Sequence, residues 1–417
     1  MSHPSRRSRG RCRFCEAPLV HTFADLGMSP IANNILTEEQ LGAMEPFFPL
    51  HALACDQCFL VQLEEFETPQ AIFSDYSYFS SYSTSWLEHC RGYVEMATAR
   101  FELDQGSQVV EIASNDGYLL QYFVERGIPV LGIEPAANVA EVARERGVPT
   151  EVEFFGRETA ARLASSGRPA DLLIGNNVLA HVPDLNDFVG GMKEMLAPGG
   201  TITMEFPHLE RLIEERQFDT IYHEHFSYFS LLTVRRVFAA HDLTVFDVDE
   251  LPTHGGSLRI YAGHEDERAR AVTDAVRGLE AREERAGMTD IDTYVAFGHA
   301  VQQEKRDILE SLIGLKNDGK TIAGYGAPAK GNTLLNFCGI GTDFISFTAD
   351  RSPHKQGHYL PGSHIPIRAP EEIERARPDV VFILPWNLRE EIMEQLRFVS
   401  DWGGRFLVRA PALELYA

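Results

Sequence analysis

Apolar and polar positions alternate along this chain in two long blocks, each reading as strand followed by helix. In the first, Val109-Val-Glu-Ile-Ala-Ser114 has the near-continuous apolar pattern of a buried strand, and Tyr118-Leu-Leu-Gln-Tyr-Phe-Val124 continues with helical character. A strand at Pro129–Pro135, a helix near 136–146 and a short strand at Glu151–Phe155 come next. Then follow a fourth strand at Asp171–Val178, a helix near 184–196, the turn Ala197-Pro-Gly-Gly200 and the strand Thr201-Ile-Thr-Met-Glu-Phe-Pro207. Such alternation predicts an α/β domain with a doubly wound parallel sheet, whose ligands bind at the carboxyl ends of the strands. Two later runs, near 243–250 and 257–263, predict an antiparallel hairpin at one edge.

The second block is shorter. Thr321–Tyr325, Phe344–Thr348, Asp379–Pro385 and Arg405–Arg409 read as four strands of a small α/β domain, a duplicated relative of the first. Between the blocks, residues 266–318 are densely charged around periodic apolar positions and read as solvated helices. The expected units are 1–72, then 73–265 with 73–105 as lid and linker helix, then 266–417.

Charge narrows the partners. Asp plus Glu total 61 against 38 Lys plus Arg, a formal net charge of −23, which disfavours nucleic acid and leaves an anionic small substrate possible only where cations gather locally. No apolar run approaches the ~20 residues of a membrane span. The basic start, Met1 to Arg11, lacks the apolar core of a signal peptide, so a disordered leader and a cytoplasmic location are expected. A monomer is expected as well.

Four of the six cysteines fall as Cys12-Arg-Phe-Cys15 and Cys55-Asp-Gln-Cys58. Each pair can turn two thiolates onto one ion, and two such knuckles close a tetrahedral structural zinc site with no place for water. His21 and His51 are competing ligands that four thiolates make unnecessary. Cys90 and Cys338 read as buried thiols.

The loop after the first strand reads Glu111-Ile-Ala-Ser-Asn-Asp-Gly117, with Glu111, Ala113, Asn115 and Gly117 at alternate positions. It resembles the first motif of class I S-adenosylmethionine (SAM) methyltransferases, acidic-x-Gly-x-Gly-x-Gly, with Ala113 and Asn115 in place of two glycines. Glu134, ending the next strand, is placed to accept both ribose hydroxyls of a nucleoside. Asn176 and Asn177 end the fourth strand, where that resemblance implies groups near the methionine moiety.

Past the fifth strand comes Tyr222-His-Glu-His225, four proton-handling residues among Phe218, Phe226, Tyr228 and Phe229. The two histidines are not spaced as in His-Glu-x-x-His, so no catalytic metal is expected there. Together the cysteine quartet, Phe73–Ser83, Asn176–Asp184, Tyr222–His225 and Gly324-Tyr-Gly-Ala-Pro-Ala-Lys-Gly-Asn-Thr333 are similar to the nucleotide-sugar C-methyltransferases of antibiotic deoxysugar pathways. The resemblance is greatest to the D-tetronitrose type, which methylates C-3' of dTDP-4-keto-deoxysugars. It implies SAM as cofactor, zinc as structural metal, a dTDP-linked 4-keto-deoxysugar as partner, and Tyr222 beside the sugar.

Such chemistry needs a base, an oxyanion donor and alignment of two reactants. His225 is the first choice for the base, with Glu224 orienting a histidine, Tyr222 donating or sharing the proton, and His181 pointing into the same crevice. Tyr76, Tyr78 and Ser80 belong to a hydroxyl-rich aromatic segment that reads as a lid excluding water. Lys330 and Asn332, on a glycine-bearing loop leading into a helix, are expected with Arg351 and His354 to hold the nucleotide diphosphate. Two other readings stand beside this one: an O- or N-methyltransferase on a small molecule, and a non-catalytic zinc-knuckle scaffold favoured by Ala113 and Asn115.

Overall fold

The computed structural model describes residues 10–66, 80–82, 84–167, 169–265, 270–409 and 413–416. Its first three strands, β1 (His21–Ser29), β2 (Phe48–Ala54) and β3 (Val61–Leu63), form an antiparallel meander. Leu50, Ala52 and Ala54 are buried at alternate positions of β2, the period of a strand with one face on a core.

The central sheet begins with five strands: β4 (Val109–Ile112), β5 (Val130–Ile133), β6 (Thr150–Glu151), β7 (Ala170–Asn176) and β8 (Leu196–Pro207). All pair in parallel. Val110 and Ile112 face one apolar core and Val109 the other, which explains why the run is apolar without alternation. After β8 the chain leaves the sheet, and β9 (Ser227–Tyr228) pairs with β3, joining the meander as its fourth strand. It returns as β10 (Leu243–Leu251) and β11 (Ser257–His264). The order in space is β10-β11-β8-β7-β4-β5-β6, with β11 antiparallel to both neighbours. The hairpin is therefore at the edge where its sequence placed it. The order reverses at β4, so the loop leaving β4 lies at the switch point where ligands bind.

Details differ from the sequence reading. Ala170 pairs with Leu196 but Leu172 with Thr201, so the Ala197–Gly200 turn bulges out inside β8. The expected strand Glu151–Phe155 shrinks to the two residues of β6.

The last block forms β12 (Ile322–Tyr325), β13 (Thr348–Ala349), β14 (Ile367–Arg368), β15 (Val380–Ile383), β16 (Arg405–Val408) and β17 (Glu414–Tyr416). The order β14-β13-β12-β15-β16 repeats β6-β5-β4-β7-β8, with antiparallel β17 added at the edge. Strands as short as β14 and β17 carry no readable period.

The charged connector is less solvated than its composition suggests. Helix Ile291–Asn317 buries Tyr294, Phe297, Val301, Glu304, Ile308 and Leu312, a stripe at helical spacing. Phe297 stacks on Phe23 of β1 at 4.4 Å, and a Cβ on Gly298 would lie 2.9 Å from the Phe23 carbonyl oxygen. In the preceding helix, Asp274–Arg285, the buried Glu283 accepts from the amides of Leu231 (2.6 Å) and Leu232 (2.8 Å). Those N–H groups start helix Leu231–Ala239 and have no partner within it. No helix among the described residues is long and apolar enough to cross a membrane.

The central and C-terminal sheets are joined through Asp219. Its Oδ2 accepts from Trp386 Nε1 at 2.7 Å and its Oδ1 from Arg409 Nη1 at 2.5 Å, and both charged partners are 1% exposed. Arg409 also lies 3.6 Å from Glu304 and stacks its guanidinium over the Phe218 ring. Removing one partner of a buried ion pair leaves the other charge uncompensated. Asp219→Ala should therefore lower stability by about 3 kcal/mol in urea unfolding, whereas loss of an exposed pair such as Arg351–Glu391 should change it by less than about 1 kcal/mol.

Candidate active site

The loop leaving β4 holds three residues with left-handed backbone: Ala113 (φ 56°), Asn115 (φ 47°) and Gly117 (φ 76°). These are the alternate positions where the motif has glycine, so the backbone path survives the two replacements. Asparagine tolerates this region; alanine does so at a cost. A Cβ on Gly117 would lie 3.0 Å from Val148. Glu134 fixes the loop from the end of β5, accepting from Asn115 N (3.0 Å) and Ala136 N (2.9 Å). Each oxygen keeps a second lone pair. Burial raises the Glu134 pKa, against those two amide bonds.

Glu111 is wholly out of solvent, and neither carboxylate oxygen closes a hydrogen bond among the described residues, although the Tyr118 hydroxyl is close. Burial pushes its pKa well up, with Glu134 and Asp116 adding to the rise. Asn176 ends β7, and Asn177 (φ 53°) donates its amide to the Glu205 carbonyl at 2.7 Å. Ser80 belongs with this loop, its amide donating to Asn115 Oδ1 at 2.9 Å. Tyr76 and Tyr78, and with them most of the expected lid, lie outside the described residues.

Beside the loop is a second polar group that the sequence pattern did not reveal. Glu205 of β8 accepts from Arg259 Nη2 (2.7 Å) and Thr253 Oγ1 (2.9 Å), and its Oε2 lies 3.0 Å from His89 Nε2. Burial would raise the Glu205 pKa, but the His89 bond and the Arg259 charge together bring it down to about 2. Trp86 stacks on His89 at 5.0 Å. The one sequence signal was a lone carboxylate inside the apolar run of β8.

Tyr222 and His225 form a hydrogen-bonded pair on the other side. His225 Nδ1 lies 3.1 Å from the Thr220 carbonyl oxygen, which can only accept, so Nδ1 carries the proton. The lone pair of Nε2 therefore faces the Tyr222 hydroxyl, which donates to it at 2.7 Å. Burial holds His225 well below the usual histidine range, and the neighbouring His181 lowers it further. The His181 ring meets the His225 ring edge-on at 4.7 Å, and burial pushes His181 down to about 4.

Glu224 turns away from both rings. It accepts from Asn33 Nδ2 at 2.7 and 2.9 Å, and burial raises its pKa to about 7 against the Asn33 bond and the Lys355 charge. The partner expected for it, a histidine, is replaced by an asparagine from the N-terminal unit. His223 packs edge-on against Phe48 and Phe66, with Nε2 3.2 Å from the Pro49 carbonyl, and takes no part in this group.

From the C-terminal sheet, half-buried Lys330 donates to Asn387 Oδ1 (2.8 Å) and sits 4.5 Å over the Trp386 ring. Burial lowers it to about 8, and its charge reaches His225. Asn332 is fully buried, with neither amide atom hydrogen-bonded among the described residues. Arg351 and His354 are exposed instead, Arg351 being 3.4 Å from Glu391. Lys355, not either of these, reaches back to the loop, donating to the Ala327 carbonyl at 2.8 Å.

The two cysteine pairs are built alike. Cys12 N donates to Ala17 O and Cys55 N to Leu60 O, and the residue after each second cysteine is left-handed, Glu16 at φ 61° and Phe59 at φ 62°. The four Sγ atoms all lie within 4.8 Å of one another, with Cys12–Cys58 and Cys15–Cys55 both at 3.5 Å. A tetrahedral zinc with Zn–S near 2.3 Å sets sulfurs about 3.8 Å apart, so the quartet fits that ion. His21 pairs with Asp56 and His51 with Thr22, outside the quartet. Gln62 of β3 donates to Cys12 Sγ at 3.2 Å within the same unit, and Asn186 donates to the Phe14 carbonyl at 3.0 Å, fastening the knuckle to the central unit.

Three family models match this chain: a zinc binding domain over residues 12–73, a methyltransferase domain over 86–248 and a C-methyltransferase C-terminal domain over 252–411. C-methyltransferase NovU of Streptomyces niveus is 38% identical over 405 residues, covering 96% of this chain and 95% of NovU. The chain belongs to this C-methyltransferase family. A ubiquinone biosynthesis O-methyltransferase of Chelativorans sp. (strain BNC1) is 32% identical over 97 residues, which is 23% of this chain and 38% of that protein. The SAM-bound magnesium protoporphyrin IX methyltransferase ChlM of Synechocystis PCC 6803 aligns over 42% of this chain and 78% of its own, at 13% identity and a TM-score of 0.33.

This C-methyltransferase depends on SAM, and the β4 loop fits it. The fully buried acidic side chain of Glu111, with only the Tyr118 hydroxyl close to it, suits the positive charge of the methionine end, and the spare lone pairs of Glu134 suit a ribose. If Ala113 only copies a glycine conformation, Ala113→Gly should raise stability by about 1 kcal/mol in thermal unfolding and leave SAM affinity within about twofold. A Cys55→Ser variant should lose bound zinc by metal analysis and fall in soluble yield, because zinc affinity there is folding energy.

Proposed function

We propose that this C-methyltransferase removes the C-3' proton of a dTDP-4-keto-deoxysugar and methylates the carbon so activated, in deoxysugar and antibiotic biosynthesis in the cytoplasm. The observation carrying this reading is the Tyr222–His225 pair, whose proton positions are fixed by the Thr220 carbonyl. A C–H beside a carbonyl is a weak acid, so the enzyme must present a neutral base and stabilise charge on oxygen. His225 is held neutral by burial, with Nε2 as its free base. Tyr222 either takes the substrate proton as it gives its own to Nε2, or swings aside and lets Nε2 act directly.

The depressed basicity of His225 is not an obstacle. A proton arriving on Nε2 while negative charge builds on the sugar oxygen makes an ion pair in a dry site, where such pairing is strong. His181, edge-on to His225, is itself pushed down to about 4 by burial and further disfavours a charge on His225. SAM supplies the electrophilic methyl group, held by Glu111, Glu134 and the loop of Ala113, Asn115 and Gly117, with Asn176 and Asn177 flanking it. Lys330, still largely protonated at neutral pH, has a charge that reaches His225 and suits the diphosphate. Asn332, with an unused buried amide, and the Lys355 side of the same loop extend that surface toward the nucleotide.

Incubating the enzyme with the dTDP-4-keto-deoxysugar in D2O without SAM should wash deuterium into C-3'. His225→Asn should cut both exchange and turnover by about 10³-fold while SAM binding stays near normal. A product methylated on oxygen or nitrogen, with no exchange at C-3', would sink the carbon-acid reading.

A further inference from the structure

The turn between β10 and β11 places a third histidine at this site. His254 has φ 56° and ψ 17°, a left-handed conformation uncommon for a residue with a Cβ, followed by Gly255 (φ 92°) and Gly256 (φ 111°). The turn is held from several directions. Thr253 Oγ1 donates to Glu205 Oε1 (2.9 Å), Gln217 Nε2 to the Gly255 carbonyl (2.8 Å), and the His208 amide to the Gly256 carbonyl (3.0 Å). A Cβ on Gly255 would meet the Trp386 ring at 2.4 Å, so the turn is pressed against the C-terminal unit. Glycine would occupy position 254 without strain, yet an imidazole stands there.

That imidazole faces both halves of the reaction. Its ring meets Trp86 edge-on at 5.4 Å, and Trp86 also packs on Tyr118 beside the cofactor loop. The Lys330 charge reaches it, and it is among the groups that lower His225. Nδ1 is out of solvent and has no hydrogen-bond partner among the described residues, while the residue as a whole is half-buried. A buried N–H without an acceptor costs more than a bare lone pair, so the proton belongs on Nε2, the ring nitrogen left open. Burial keeps the ring neutral, down to about 4, so it does not enter the reaction as a cation.

The Tyr222 hydroxyl is already committed to His225, which leaves the sugar oxygen in need of another donor. We propose that His254 is a further catalytic residue, donating from Nε2 to the keto oxygen that gains charge when the adjacent carbon is deprotonated. In that step the C–H electron pair becomes the new carbon–carbon π bond, the carbonyl π pair moves onto oxygen, and the proton passes to the Tyr222–His225 pair. This inference rests on the proposed carbon-acid reaction at the same site.

Two variants test it, with His225→Asn alongside. His254→Gly removes the ring and relieves the backbone; His254→Asn keeps a side-chain N–H and tolerates the left-handed conformation. His254→Gly should melt no lower than the parent and keep KM for the sugar nucleotide within about threefold. Its kcat and its SAM-free deuterium exchange at the sugar carbon should both fall by about 10²-fold, the loss typical of one oxyanion donor. His254→Asn should recover about tenfold of that loss. Parental exchange in His254→Gly, with His225→Asn inactive, overturns the role of His254 alone. Parental exchange in both variants overturns His225 as the base too, and no exchange in the parent enzyme itself overturns the carbon-acid reading.

Discussion

The buried carboxylate of Asp219 is the contact on which the geometry of the site depends. It takes a hydrogen bond from Trp386 and an ion pair from Arg409, both from the C-terminal unit. Directly after it, the Thr220 carbonyl sets the His225 tautomer, and the Ile221 carbonyl accepts from Thr333 at 3.1 Å. Five residues on, Phe226 and Tyr228 are drawn into the N-terminal sheet by β3. Tyr222–His225 is thus stretched between anchors in all three units, so the proton-handling pair exists in this form only when the units are docked together. Preorganisation of this kind is what fixed, low-reorganisation catalytic groups require.

The same logic explains the contribution of the zinc-binding unit. Zinc at four thiolates closes a small fold with little core of its own, and that fold delivers Asn33 to Glu224. A carboxylate buried beside neutral histidines would otherwise carry an unpaired charge or draw a proton from them. Asn33 satisfies it with a neutral donor, while the Lys355 charge acts on Glu224 and the Lys330 charge on His225. The metal is remote from the chemistry yet holds one wall of it.

What the sequence showed follows the range of the interactions involved. Strands β4, β5, β7 and β8 are legible because burial on both faces writes itself into consecutive residues. The cysteine knuckles and Tyr222–His225 are legible because their chemistry is local. Asn33–Glu224 is not, since the partners lie 191 residues apart and asparagine in a loop is unremarkable by itself. His254 stayed hidden for a similar reason: its left-handed backbone and its position near Lys330 are products of the turn and of domain docking. Likewise, Glu283 looked like a solvated helix charge until the start of another helix was found to be its partner.

Ala113 and Asn115 show how a motif can fail as a string and hold as physics. What the cofactor loop needs is a backbone that turns left-handed at alternate positions, and glycine is only the cheapest way to obtain it. Here Glu134 grips the Asn115 amide and Ser80 the Asn115 side chain, so surrounding bonds enforce what the residue types do not prefer. At Asn115 the departure from glycine adds a function, because a side-chain carbonyl at that position ties the segment bearing Ser80 to the loop. At Ala113 no such bond is formed. The scaffold reading drew its only support from these two residues, and their conformations remove it: a loop with no ligand to hold would have no reason to keep alanine in a strained backbone beside a fully buried acidic side chain at Glu111.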